Sequence, residues 1–577
     1  MKTGAVVQVV IGVVLGLTLT ALAVWAGESR TKRLGDGFAA QVDLRPLDRA
    51  AVHRDGRLKS FDSYAREMLG FISANKSVDN LPADFLYLDL MIRPERYENV
   101  DLIYIKNKPM RARIVEILTQ RGDLPAERLD AILKTGLISE PLVRDRAVLA
   151  QMAEWRRDVI RTKKFVDRVE SAVALRDPVV LAGRLRLVPP PGADERVPWF
   201  SMNDLFGGTT PDGRPAPAPT DVLDPVKRNA VRDAYVSLVN AWRQEDVKAV
   251  NAAVAGLAAA VKDVNPVLYP SQERLGWEAI YFKHSHLTWT WIVYLLSVVF
   301  LLMGVIYRWD GARRIGIGAF GVAFALHTVA LLLRWYVSGR WPNSTMFEAV
   351  TTSVWMGTCL AIVIERLVGR TAFRGVFLLT AGVASMAGMM AAHYVPQLDA
   401  SIRNMMPILH DLWLYIHTNV IIASYALIAM ASVTAFLYLG HRLIGGPADY
   451  ARAGGAAMLI DAQGRTENSI TPARARAGEL LDGATMVLME LSFVLLWAGL
   501  VMGAIWADHS WGRPWGWDPK EVFALNTFLV FLILVHVRLK VADKGLWTAI
   551  LAIIGCGVML FNWIVINFII EGLHSYA

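Results

Sequence analysis

The chain is 577 residues long, 54% apolar and only 19% charged, with a formal charge of +8. Soluble globular chains carry about 25% charged residues, so a purely soluble protein is excluded, and the positive balance points to basic loops beside a membrane before a nucleic-acid partner. The two cysteines, Cys359 and Cys556, both fall in apolar runs, which excludes a disulfide framework, a CxxC redox pair and a zinc–cysteine cluster within this chain.

An apolar run opens the chain over residues 5–26, behind Lys2. It is long enough to cross a bilayer. A cleaved signal peptide is the competing reading, since Val24-Trp25-Ala26 ends on a small residue, but the run exceeds a usual signal core and an uncleaved anchor is preferred. Residues 27–286 then have the composition of a soluble domain. Helical periodicity predicts helices over 60–73, 109–120, 140–175 and 226–264, while the Pro- and Gly-rich stretch 180–220 reads as loop. No strand alternation stands out. From residue 287 onward, apolar runs of spanning length follow one another at 287–307, 315–337, 347–364, 373–392, 414–439, 485–506, 522–537 and 546–570. The fold class is therefore mainly α: a polytopic membrane bundle of about nine transmembrane helices with an external, mostly helical soluble domain. The predicted divisions are an anchor at 1–26, the external domain at 27–286 and a membrane domain at 287–577 that includes a Trp-rich loop at 506–521.

Basic residues orient the bundle. Fourteen Lys or Arg lie in one set of loops, among them Arg313, Arg374, Arg442 and Arg538; the opposite loops hold four, Arg340, Arg403, Arg513 and Lys520. The richer side is cytoplasmic. The domain 27–286, the Trp loop and the C-terminus then lie outside.

That loop reads Trp506-Ala-Asp-His-Ser-Trp511-Gly-Arg-Pro-Trp515-Gly-Trp517-Asp518-Pro519-Lys520-Glu521. Interfacial tryptophan ordinarily anchors helices at the headgroups. Three in seven residues, spaced by glycines that admit close backbone approach, also suit a shelf for a flat, apolar ligand. The histidines sharpen that second reading. His417 begins the helix after an outer loop, and His574 lies in the outer tail. His327 sits within a membrane helix, and His536 is near the inner end of another. An ionisable group in the membrane carries a functional expectation because its burial in lipid is expensive. Two outer histidines beside an aromatic shelf fit the two faces of a metal-centred planar ring, of which haem is the obvious example. No HExxH, Walker or GxSxG motif is present. His284, His286, His393, His410, His441, His509 and His53 read as interfacial or isolated polar groups.

The segment Trp511-Gly-Arg-Pro-Trp515-Gly-Trp517-Asp518-Pro519-Lys520-Glu521 resembles the tryptophan-rich WWD signature of haem-handling proteins, and its WDPKE ending is similar to the CcsA (ResC) branch of system II cytochrome c biogenesis. Arg334-Trp-Tyr-Val-Ser-Gly-Arg340-Trp-Pro-Asn343-Ser-Thr-Met-Phe-Glu348, Trp413-Leu-Tyr-Ile-His417 and Gly572-Leu-His574-Ser-Tyr-Ala577 resemble further segments of that branch. The likeness covers about half the chain, from residue 287 to the end. Residues 55–67 resemble a segment of extended family members, with Ser60 where a proline is expected. A second departure is Pro514, where an aromatic residue is common.

The resemblance implies haem b as substrate and cofactor. His417 and His574 would be the axial pair for an external haem lying on Trp511, Trp515, Trp517 and Asp518, and His536 would be the inner ligand that receives haem in the membrane. The second membrane ligand would come from His327 or from a CcsB (ResB)-like subunit, a half not recognisable here. The implied function is haem delivery across the membrane and covalent attachment to apocytochrome c, as a subunit of a holocytochrome c synthase in the bacterial cytoplasmic membrane. Implied partners are the CcsB-like subunit, an apocytochrome with a CxxCH motif and a thiol-reducing protein. A structural or quinone-linked subunit of a respiratory complex is the alternative of another class, with the Trp loop as a lipid or quinone contact.

Overall fold

The computed structural model describes residues 37–568 and 570, except 55, 75–80, 159–160, 195–196, 210–214, 284–285, 308, 369–373, 396, 403–404, 406–408 and 452–476. The expected anchor at 5–26 and the expected ligand His574 lie outside the described residues. The chain divides into two compact units that meet in sequence between Lys283 and His286.

The front unit is mainly helical. Its first hairpin pairs β1 (Ala51–Arg54) antiparallel with β2 (Arg57–Ser60). Two shorter antiparallel pairs join Ile103–Tyr104 to Leu137–Ile138 and Gly208–Thr209 to Pro215–Ala216. Alternation did not reveal these strands because they are at most four residues long, and the first three residues of β1 are all buried. Around them pack α1 (Phe61–Ser73), α2 (Ala83–Ile92), α3 (Lys108–Arg121), α4 (Ala126–Thr135), α5 (Arg146–Arg157), α6 (Lys163–Leu175), α7 (Pro178–Arg184), α8 (Pro225–Arg243), α9 (Val247–Val264) and α10 (Gln272–Lys283).

Local chemistry divides two stretches that periodicity alone read as continuous. Within 140–175, Asp145 accepts from the backbone N–H groups of Ala147 and Val148 and so starts α5; a further break precedes α6. Between α8 and α9, Asp246 caps the new helix through Ala249 N–H, and Glu245 adopts a left-handed φ of 55°. One core is built on Phe61, Tyr64, Met68, Tyr87 and Trp242. Inside it the Asp89 carboxylate is 1% exposed and takes three donors: Trp242 Nε1–H at 2.7 Å, Tyr97 O–H at 2.6 Å and Arg93 Nε–H at 2.6 Å. Such a buried charge is stable only with its partners present.

The second unit holds eight helices among the described residues: α11 (His286–Ile306), α12 (Asp310–Ser338), α13 (Met346–Val368), α14 (Val376–Tyr394), α15 (Leu412–Leu443), α16 (Ala477–Trp511), α17 (Pro519–Lys540) and α18 (Lys544–Phe561). Seven helical stretches here are long and apolar enough to cross a membrane; in α11 the described apolar part, Thr290–Ile306, is shorter. The chain is a multi-pass membrane protein. Helices α11 to α14 pack on one another, α15 to α18 form a second group, and α13 and α14 join the groups through α15. Alternating helix direction brings the loop 339–345, the described residues between α14 and α15 and the Trp loop to one end of the bundle. At the opposite end, Arg538 donates to Asp482, Thr548 and the Ala451 carbonyl, tying α16, α17 and α18 together.

Candidate functional site

At the Trp-loop end the bundle forms a partly open cavity of about 760 Å³. That lies within the roughly 300–1,000 Å³ of small-molecule sites. Its walls come from the loop before α13, the first turns of α15, the last turns of α16, Pro514 and Trp515, the start of α17, and the chain end beyond α18.

His417 lies in this wall. Helix α15 begins at Asp411, whose carboxylate caps the N–H groups of Trp413 and Leu414, and this fixes where His417 falls on the second turn. Its Nδ1 lies 2.7 Å from the carbonyl oxygen of Gly499 on α16. A carbonyl can only accept, so Nδ1 carries a proton, and in the neutral ring the lone pair is then on Nε2, the tautomer a metal ligand needs. Glycine makes the contact possible: a Cβ on Gly503 would stand 2.7 Å from His417 Cε1, and one on Gly499 would collide with Ile421. The Gly499-x-x-x-Gly503 spacing lets two membrane helices approach closely, here with an imidazole seated in the gap. The flank of α15 is pinned as well. Asn343 Nδ2 donates to Thr418 Oγ1 and Trp341 Nε1 to Asn419 Oδ1, each at 2.9 Å.

The Trp loop is divided by the structure. Trp506 is 2% exposed and lines the cavity, edge-on to Trp511 at a centroid distance of 4.9 Å. Trp515 lines it too and meets Trp517 edge-on at 5.9 Å. Trp511 and Trp517 stand outside the lining, and Trp517 is 72% exposed. Asp518 is a helix cap: it accepts from Lys520 N–H, while Glu521 accepts from the N–H groups of Asp518 at 3.1 Å and Gly516 at 2.8 Å. The sequence Asp-Pro-Lys-Glu is thus a capping box with proline at its first helical position. Those two hydrogen bonds to Glu521 flank Trp517, whose φ of 57° is left-handed.

His327 and His536 stand apart from the cavity. His327 is 1% exposed; its Nε2–H donates to Thr351 O at 3.1 Å and its Nδ1 faces the Tyr294 hydroxyl at 3.4 Å, as in a satisfied core histidine. His536 is exposed on α17, with Nδ1–H donating to Leu532 O at 2.8 Å.

Three features of the site escaped the reading of residues alone. The first is the Gly499–Gly503 pair, although its four-residue spacing in an apolar run is a readable signal. The second is a buried ion cluster at the start of α13: Glu348, fully buried, accepts from Arg334 at 2.9 Å and from Arg340 at 2.7 Å. The third is the π-helical turn Asn562–Ile566 that ends α18 and turns Asn562 and Trp563 to the cavity. π turns concentrate at functional sites. Asn562 donates to the Tyr425 hydroxyl at 3.1 Å, while its buried Oδ1 has no donor among the described residues.

Residues 343–574 match the family model described as "Cytochrome C assembly protein". The protein is 33% identical to the cytochrome c biogenesis protein CcsA of Prochlorococcus marinus over 265 residues, 43% of this chain and 81% of that one. It is 31% identical to CcsA of Mesostigma viride over 272 residues, 45% of this chain and 86% of that one. The chain belongs to the CcsA family. Its role lies in cytochrome c biogenesis, and it carries an N-terminal extension ahead of the family region. Protein NrfI of Wolinella succinogenes is 25% identical over 531 residues, 90% of this chain, so that likeness runs into the front unit; the match spans about half, 53%, of NrfI's own length. The family match covers most of the cavity wall, from Asn343 through His417 and Trp515 to Phe568.

Proposed function

We propose that this protein carries haem b to the Trp-loop end of the bundle and holds it there for covalent attachment to an apocytochrome c. The observation that carries this reading is the His417 imidazole, fixed by Gly499 with Nε2 as its basic nitrogen, in the wall of a largely apolar cavity beside Trp506 and Trp515. The size of the cavity and the basic nitrogen both suit a planar iron macrocycle. His574 is the proposed second ligand from the tail. The Trp loop faces the outside of a bacterial cytoplasmic membrane, in keeping with the basic loops at the opposite end. His536, exposed on α17, is the proposed inner ligand; its exposure suits a second ligand supplied by a CcsB-like subunit, since His327 is held at both nitrogens.

A secreted apocytochrome brings the thiols and histidine of its CxxCH motif. Each thiol adds across a haem vinyl group: sulfur bonds one carbon, the proton reaches the other, and nothing is oxidised. No cysteine of this chain takes part, in keeping with Cys359 and Cys556 lying in membrane helices. The client thiols must arrive reduced, which calls for a thiol-reducing partner. This chain contributes position, which lowers the entropic part of the barrier. The front unit docks the client or the partner subunit.

The test is an absorption spectrum of the purified full-length protein supplied with haem. A bis-histidine signature that His417→Ala abolishes and added imidazole partly restores supports the reading. A wild-type protein that takes up no haem sinks it.

A further inference from the structure

Trp517 stands in the turn between α16 and α17, at the Trp-loop end of the bundle. It is 72% exposed, and its left-handed φ of 57° lies in a backbone region that is costly for a bulky side chain. Glu521 holds that conformation through the N–H groups on either side of the residue. Other exposed tryptophans, such as Trp497, stand on spanning helices, where a bilayer covers them. Trp517 has no such cover from its place in the chain.

Arg513 belongs to the same turn. It is exposed and makes no hydrogen bond or ion pair among the described residues. Its guanidinium packs on Gly516, where a Cβ would stand 3.1 Å from Cζ. Glycine at 516 therefore admits the guanidinium to the turn, next to Trp517. The turn has two sides. Pro514 and Trp515 line the cavity, and Trp515 meets Trp517 edge-on at 5.9 Å. Arg513 and Trp517 are left at the rim.

Tryptophan and arginine are the residue types most enriched at the energetic centres of protein interfaces. A flat indole takes an apolar side chain, and a guanidinium with no carboxylate of its own takes one from a partner. A headgroup anchor needs only the right depth in the interface. It needs neither a strained backbone nor a place on the rim of a cavity. A thiol that is to meet a ring held in this cavity must bring its polypeptide over that rim.

We propose that Arg513 and Trp517 form a docking patch for an extended segment of the client polypeptide beside its CxxCH motif, with an apolar side chain on the indole and an acidic one on the guanidinium. The patch rests on the haem-attachment reading above and adds where the motif is held. One turn then positions both reactants, the ligand on its cavity side and the client on its outer side. Docking by the front unit concerns the rest of the client.

The experiment places the full-length protein, supplied with haem, in nanodiscs of zwitterionic lipid. The probe is a fluorescent peptide in which Ser-x-x-Ser-His replaces the motif, so that it binds without reacting, flanked by an apolar and an acidic residue. Its anisotropy reads peptide affinity, and the Soret band reads haem affinity. Trp517→Ala and Arg513→Gln should each weaken peptide binding about tenfold and leave haem affinity within about threefold of the wild type. A second peptide with glutamine for the acidic residue should lose its sensitivity to Arg513→Gln and keep its sensitivity to Trp517→Ala, the coupling expected of a direct contact. Peptide binding that survives both variants overturns the patch and leaves the haem reading standing. So does a wild type that takes up haem and ignores the peptide. Variants that insert poorly into the nanodiscs, but bind the peptide normally once inserted, make the turn a headgroup anchor and also overturn the patch. A wild type that takes up no haem overturns the haem reading itself.

Discussion

His327 and His417 both sit on membrane helices, and both give a ring N–H to a backbone carbonyl on a neighbouring helix, Thr351 O and Gly499 O respectively. Their other edges differ. The second nitrogen of His327 meets the Tyr294 hydroxyl inside a packed core, whereas His417 forms part of a cavity wall. Burial of an ionisable group in the membrane therefore does not by itself mark a ligand. What distinguishes the two is where the ring stands: His327 is packed against Tyr294 in a core, and His417 lines a cavity.

The largest expected effect breaks the comparison outright. His417→Ala should lower haem affinity at the cavity by roughly 100-fold or more, with imidazole restoring part of it; an unchanged titration would contradict the assignment. Next is the seat of that ring. A Gly503→Leu side chain collides with the imidazole and should weaken haem binding about 10- to 100-fold, the range found when a ligand's orienting contacts are lost. Gly557→Leu, where a Cβ meets nothing within 4 Å, is the matched control and should leave the titration alone.

The tryptophans offer a finer contrast. Trp515→Ala removes a cavity wall and should cost about tenfold in haem retention, while exposed Trp517→Ala should cost about threefold or less. Similar losses for the two would restore the expectation of a continuous shelf. His327→Phe should leave haem content unchanged and lower stability by ~1 kcal/mol, read as a thermal midpoint in detergent; loss of haem there would revive it as a ligand. Smallest of all, Asp518→Ala should cost ~1 kcal/mol of stability through the lost cap, with little change in haem affinity.

Much of this was legible before any coordinates. Apolar runs of spanning length announce the helices because lipid leaves few alternatives to a hydrogen-bonded helix. The resemblance centred on the Trp loop pointed to the family the comparisons show, and the loop and His417 do meet at one cavity. Less legible was the division of labour within the loop. Trp506, Trp511, Trp515 and Trp517 are equivalent as letters, and only the left-handed turn at Trp517 and the capping box that follows turn some inward and some out. The resemblance implies Asp518 as a haem contact; its carboxylate caps α17, and the Asp-Pro-Lys-Glu spacing is the readable sign of that cap. The Arg334–Glu348–Arg340 cluster links residues up to 14 apart across a helix end and a loop, a separation no periodicity reports. The β1–β2 hairpin was hidden by its shortness and by burial along β1.

Glu521 has one more consequence. Its carboxylate holds the chain on either side of Trp517, and Asp518 begins the helix immediately after, so the segment from Gly516 to Asp518 has little freedom left. Ordering a flexible loop on a ligand costs about 0.5–1.5 kcal/mol for each side chain immobilised. Here that loss of entropy falls on folding, long before a haem arrives. Uptake at this end of the bundle should then be governed by how fast the macrocycle reaches the cavity, with no slow phase from loop closure in a stopped-flow trace.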